Sequence, residues 1–160
     1  MKTYSAIDIA KRFLELAQPE GIGLTNMKLQ KLVFFSQVVS LKMFGQPVHS
    51  NASLAWDFGP VVRELYDLVH DLAAPRTNKQ IFLSDASVCA AFDRAVKIDD
   101  IEVLGLTRAV WNRFKGWTAY QLSELTHRPG SPWATVYARA QYAVIPLELI
   151  AEKGFGDGSF

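Results

Sequence analysis

Apolar residues recur along this chain at helical spacing, in blocks punctuated by glycine, proline and polar turns. Ile9, Phe13 and Leu16 share one face of a segment that Ser5 and Asp8 open as a capping box and that Pro19, Gly21 and Gly23 close. Thr25 opens the next segment, with Leu24 and Leu29 spaced as a hydrophobic staple around it. Its apolar stripe is Leu29, Leu32, Val33, Ser36, Val39 or Ser40, and Met43, up to a stop at Gly45 and Pro47. Lys28 and Lys31 then fall on a polar face opposite that stripe.

Between residues 48 and 58 the period shortens to two. Val48, Ala52, Leu54 and Trp56 alternate with polar or small neighbours, which predicts a half-buried strand. Pro60 stands where a first-turn proline belongs, so a helix is expected from there, with Val61, Leu65, Leu68, Val69 and Leu72 on its face and Pro75 as its stop. The triplet IFL at 81–83 is a second strand-like piece and a candidate partner for 52–57. Helical spacing resumes near Ser87, after the capping-box pattern Asp99–Glu102, after Thr118–Gln121, after Ser131–Pro132 and after Ile145–Pro146. The expected fold is mainly α: a single compact domain of six or seven helices over residues 1–153, with a small β element near residues 50–58 and 80–83. The glycine-rich stretch at 154–160 is expected to be a flexible tail.

Composition narrows the function classes. The chain has 160 residues, 49% hydrophobic and 21% charged, which fits one globular domain rather than a disordered one. A net charge of +1 offers no global attraction to nucleic acid or to an anionic membrane. The N-terminus carries charge every few residues, and no apolar run approaches the roughly 20 residues that cross a bilayer, so a cytoplasmic location is expected. Cys89 stands alone, which excludes an internal disulfide; its helical, apolar surroundings predict a buried, unreactive thiol.

A search for chemistry returns little. His49, His70 and His127 are not spaced as metal ligands, and no metal or cofactor is expected. His70 sits one turn from Asp67, as in a surface ion pair. There is no nucleophile elbow and no phosphate-binding glycine loop, so no catalytic residue is assigned. Gln30 and Gln37 are seven residues apart and offer a weak base-reading pattern on a helix with few arginines. The four tryptophans, Trp56, Trp111, Trp117 and Trp133, are the more telling group, as core residues or as anchors for a protein partner.

Three segments carry a resemblance. LTNMKLQKLVFFSQ at 24–37, AWDFGPVVRELY at 55–66 and LSELTHRPGSPW at 122–133, in that order and spacing, resemble the Panacea domain, also called the SocA-like or GepA-like antitoxin domain. Phe35 stands where that family often has tyrosine, and Leu65 where valine is common before Tyr66; both changes are conservative. Residues 75–100 match no motif and are where partner choice is expected to vary.

The resemblance implies a mainly helical, non-catalytic antitoxin of a type II toxin–antitoxin pair, carried on bacterial, plasmid or prophage genomes. It would neutralise a cognate protein toxin, expected from the adjacent gene, by direct binding. Two alternatives stand beside this: an adaptor that hands the toxin to a ClpXP-type protease, with 154–160 as a docking segment, and a DNA-binding autorepressor, against which the balanced charge argues. A further alternative is an enzyme with a pocket around Trp56, Tyr66 and His70. The polar members of the matched motifs, Lys28, Lys31, Asp57, Arg63, His127 and Arg128, are the candidate partner-binding residues. Leu29, Leu32, Trp56, Gly59, Pro60, Val61, Leu65, Tyr66, Leu122, Leu125 and Trp133 are expected to form the structural core of the motifs.

Overall fold

Local capping chemistry sets most helix boundaries in the computed structural model, which describes residues 1–74, 76 and 78–157. Ser5 Oγ accepts from the Asp8 amide while the Asp8 carboxylate accepts from the Ser5 amide, and this box starts α1, Ala6–Ala17. A 3-10 turn at Gln18–Glu20 follows. Thr25 caps α2, Asn26–Phe44, which ends at Gly45 in a left-handed conformation. Strands β1, Leu54–Trp56, and β2, Gly59–Val61, lead into α3, Arg63–Ala73, and α4, Ala86–Ala91.

Helix α5, Ile101–Phe114, is capped by Asp100, one residue later than expected. Asp99 turns instead to the Lys2 ammonium at 2.8 Å and the Tyr4 hydroxyl at 2.9 Å. A second capping box, Thr118 with Gln121, opens α6, Ala119–Thr126. Ser131 with Pro132 in the first turn opens α7, Pro132–Arg139, and α8 runs Leu147–Lys153. The fold is mainly helical as expected, but with eight α-helices among the described residues rather than six or seven.

Helix α2 is the axis of the domain. It packs on α1, α3, α5, α6, α8 and β2, so it is buried on nearly every side and has no solvated face to set against an apolar one. The single stripe expected from the sequence is therefore wrong at two points: Met43 is 67% exposed, and Lys31 is only 1% exposed. Gln37 is also inside, where its amide serves as a splint for the chain entering the β region. Its Oε1 accepts from the amides of Val48 and His49, and its Nε2 donates to the His49 carbonyl at 3.0 Å. Gln30 and Gln37 thus bind their own backbone.

The β element is a tight antiparallel hairpin in which Leu54, Ala55 and Trp56 face Val61, Pro60 and Gly59. The expected alternation was one residue out of phase: Ser53 and Ala55 are buried, Leu54 and Trp56 are half-buried, and Ala52 is exposed. The reason is non-local. Residues 142–145 run along the outer edge of β1, where Ala55 donates to the Ala143 carbonyl and accepts from the Tyr142 amide. Pro60 lies in β2 rather than in the first turn of α3. Opposite Ala55, whose hydrogen bonds point to the other edge, its missing N–H leaves no gap in the ladder. Ile81 pairs with Leu24, not with 52–57.

Three further expectations fare differently. Cys89 is exposed on α4. Asp67 meets Arg63 at 3.9 Å, while the His70 ring stacks on Tyr66 at 5.5 Å. Of the stretch 154–160, residues 158–160 lie outside the described residues, as does Pro75. Phe155, however, packs on Phe35 with ring centroids 5.3 Å apart, and the Asp157 amide donates to the Pro129 carbonyl.

Candidate binding site

The hairpin, the middle of α2 and the segment from α6 to residue 142 meet at one corner. Gly59 makes the meeting possible. Its φ is +114°, and a Cβ there would lie 2.6 Å from Thr126 Oγ1 and 2.7 Å from Lys31 Cε. Ser123 Oγ donates to the Phe58 carbonyl at 2.6 Å, which ties the hairpin tip to α6. On the far side, Trp133 Nε1 donates to the Trp56 carbonyl at 2.7 Å, which ties β1 to α7.

Aromatic rings then extend from this tie. His127 stacks on Trp133 at 3.8 Å, and Trp133 on Tyr137 at 4.5 Å. Tyr137 and Tyr142 both donate their hydroxyls to Asp57, at 2.6 Å and 3.0 Å. The bond to the Asp57 carboxylate pushes the Tyr137 hydroxyl up to about 12. Tyr142 holds φ at +68°, a conformation rarely taken by a bulky residue, and two bonds keep it there: its hydroxyl to Asp57 and its amide to Ala55.

Between α2, the hairpin and α3 lies a cavity of about 540 Å³. Trp56 and Tyr66, 4.9 Å apart and edge to face, form one wall with His70; Phe58, Met27 and Lys31 contribute others. Lys31 forms no ion pair or hydrogen bond with a described residue, and burial alone pushes its amine down to about 7. Asp57 lines the same cavity but is held by the two tyrosines. A larger hollow of about 650 Å³ between α7 and α8 is lined by solvated Arg139, Glu148, Glu152 and Lys153 and holds no buried charge.

A family model described as antitoxin SocA-like, Panacea domain, matches residues 29–134, from the first turn of α2 into α7. The chain belongs to that family. No curated protein and no solved structure matches it. The Panacea match takes in Lys31, Asp57, the hairpin, α3, α6 and Trp133, and so most of the corner; Met27, Tyr137 and Tyr142 lie outside it.

Of the candidate partner-binding residues, this Panacea domain brings Lys31, Asp57 and His127 to the corner. Arg63 is exposed at the start of α3 and pairs with Asp67 at 3.9 Å. Lys28 is elsewhere, half-buried, donating to the Lys115 carbonyl at 2.7 Å. Arg128 follows His127 and is half-buried. His127 Nε2 is buried with no hydrogen-bond partner among the described residues; burial first, and then the charge of Lys31, lowers its pKa. Among the expected core residues, Leu29, Leu32, Leu65, Leu122, Leu125, Val61 and Trp133 are buried, and so are Gly59 and Pro60. Trp56 and Tyr66 are not core: both are half-buried and line the cavity.

Phe58, an aromatic beside Gly59–Pro60 that is 70% exposed at the hairpin tip, is not among the candidate residues read from the sequence, and neither are the tyrosines Tyr137 and Tyr142. A two-residue turn of Asp-Phe before Gly59 is a signal for an exposed aromatic. Nothing local announces that Tyr142, 85 residues on, meets Asp57. Among the described residues no group of three or more His, Cys, Asp or Glu side chains is placed to hold a metal ion, and no helix is long and apolar enough to cross a membrane.

Proposed function

We propose that this chain is the antitoxin of a type II toxin–antitoxin pair, which binds a cognate protein toxin in the cytoplasm and holds it inactive without catalysing a reaction. The match of the antitoxin family model over residues 29–134 carries this reading. The corner described above supports it. Phe58 and Tyr142, 70% and 52% exposed, stand beside half-buried Trp56, with Asp57 on the same wall. Aromatic side chains are among the residues that most often anchor a protein interface. Tyr142 is held by its bond to Asp57 and Trp56 by its edge-to-face contact with Tyr66, so for these two rings little ordering cost remains to be met on binding.

Co-expression with the product of the adjacent gene tests the proposal. That product alone should arrest growth, and this protein should restore growth and co-elute with it from a sizing column. Phe58→Ala should weaken the complex about tenfold or more, as loss of an interface anchor does. A neighbour that is harmless alone, or one that remains toxic with soluble antitoxin present, overturns the assignment for that pair.

A further inference from the structure

Docking of a toxin on the exposed rings makes no use of the amine beneath them. Lys31 is 1% exposed, yet it lines a cavity of about 540 Å³ and has no carboxylate or hydrogen-bond partner among the described residues. The one acid on the cavity wall, Asp57, is committed to Tyr137 and Tyr142. An unpaired amine is costly to keep inside a protein, and a negative group in contact with it removes that cost.

We propose that this cavity is a binding site for a small carboxylate with a flat apolar body, the carboxylate meeting Lys31 and the body lying along the wall of Trp56, Tyr66 and His70. Three observations select this chemistry. The volume falls within the roughly 300–1,000 Å³ of small-molecule sites and is more than one acidic side chain of a partner protein would fill. The two buried amides on the wall are already used: Asn26 Nδ2 donates to the Tyr66 carbonyl, and Gln30 Nε2 donates to Asn26 and Val62, while the third amide, Asn78, is exposed. Lys31 is the one Lys or Arg among the described residues of the wall, which suits one negative charge; a phosphate ester, with close to two, calls for several cationic donors. The wall itself is aromatic, with Trp56 edge-on to Tyr66 and Tyr66 stacked on His70.

The inference does not rest on the toxin reading, and its test contains no toxin. Protein labelled with ¹³C at its methionine methyls reports on the cavity through Met27, which lines it. Titration with phenylacetate or indole-3-acetate should shift the Met27 methyl signal, and the uncharged analogue phenylacetamide should bind about tenfold more weakly or less. In Lys31→Gln the preference for the acid over the amide should vanish. Should Lys31→Gln fail to fold, the acid–amide comparison on the unaltered protein decides alone. Absence of a Met27 shift with the acids at about 10 mM, well above the weakest affinity of interest, overturns the proposal. Equal binding of acid and amide, or an acid preference retained in Lys31→Gln, does so too.

Discussion

Gln30 and Val62 are bonded in both directions: the Val62 amide donates to Gln30 Oε1 at 2.9 Å, and Gln30 Nε2 reaches the Val62 carbonyl at 3.4 Å. A buried side-chain amide here takes the place of a neighbouring strand. Val62 is also the N-cap position of α3 and offers no side-chain cap of its own, so Gln30 holds the entry to that helix. Replacing Gln30 by Leu keeps the bulk but leaves the buried Val62 N–H without a partner. The expected loss is about 2–3 kcal/mol of unfolding free energy, measured by urea titration. Protection of the Tyr66 amide from hydrogen exchange should fall with it, since that amide bonds the Val62 carbonyl in the first turn of α3.

This pair shows where the sequence stops being legible. Ser5, Thr25, Thr118 and Ser131 are readable as caps because each acts on an amide three residues away. Gln30, Gln37 and Lys31 do not read as buried residues because what covers them is distant in the chain: Gln37 bonds Val48, 11 positions on, and Gln30 bonds Val62, 32 positions on. The same holds for β1: Leu54 and Trp56 are the larger residues, yet Ser53 and Ala55 face inward, and the segment 142–145 that pairs with the strand is far along the chain. The three motif segments mark the corner correctly, since they supply α2, the hairpin and α6. The cavity itself, and the tyrosines that hold Asp57 away from Lys31, exist only once those segments are folded together.

Asp57 governs the ionisation of two tyrosines. Its carboxylate, hydrogen-bonded to both hydroxyls, raises Tyr137 to about 12 and raises Tyr142 above its ordinary value. Asn at this position keeps an acceptor but removes the charge. In Asp57→Asn both phenols should titrate at lower pH than in the unaltered protein, read by ultraviolet difference absorbance of phenolate. Both hydroxyls are on the surface, so the stability of the fold should change little. If the phenolate titration is unchanged, the bonds drawn from Tyr137 and Tyr142 are not those that exist in solution.

His49 is buried beside the splint formed by Gln37, and burial pushes its pKa down to about 4 from 6.5. The unfolded chain takes up a proton below pH 6.5 that the folded chain refuses until about pH 4. The contribution of His49 is therefore fully present above pH 6.5 and is lost as pH falls through that window. A variant His49→Gln does not titrate there. Subtracting its stability profile from that of the unaltered protein cancels the carboxylates common to both. The difference should slope by on the order of 3 kcal/mol between the two pH limits, and a flat difference would show that the fold does not lower the His49 pKa.

Lys31 gives the opposite end of the pH scale the same kind of test. Its amine is pushed down to about 7 from 10.5 by burial, so between those values the unfolded chain holds a proton that the folded chain has released. Stability from this residue rises with pH across the window, and below about pH 7 the folded protein bears the cost of an unpaired buried ammonium in full. Lys31→Met is close in length and carries no charge. At pH 6 it should be more stable than the unaltered protein, on the order of a few kcal/mol, and the advantage should shrink steadily toward pH 10. Asp57, His70, Tyr66 and Tyr142 surround the site in both proteins and largely cancel in the difference; His127, whose pKa the Lys31 charge helps to lower, does not, so its own titration is followed separately. A small carboxylate bound in the cavity should act only on the unaltered protein. With phenylacetate present, the gap at pH 6 should narrow, because the ligand supplies the charge that the fold leaves out.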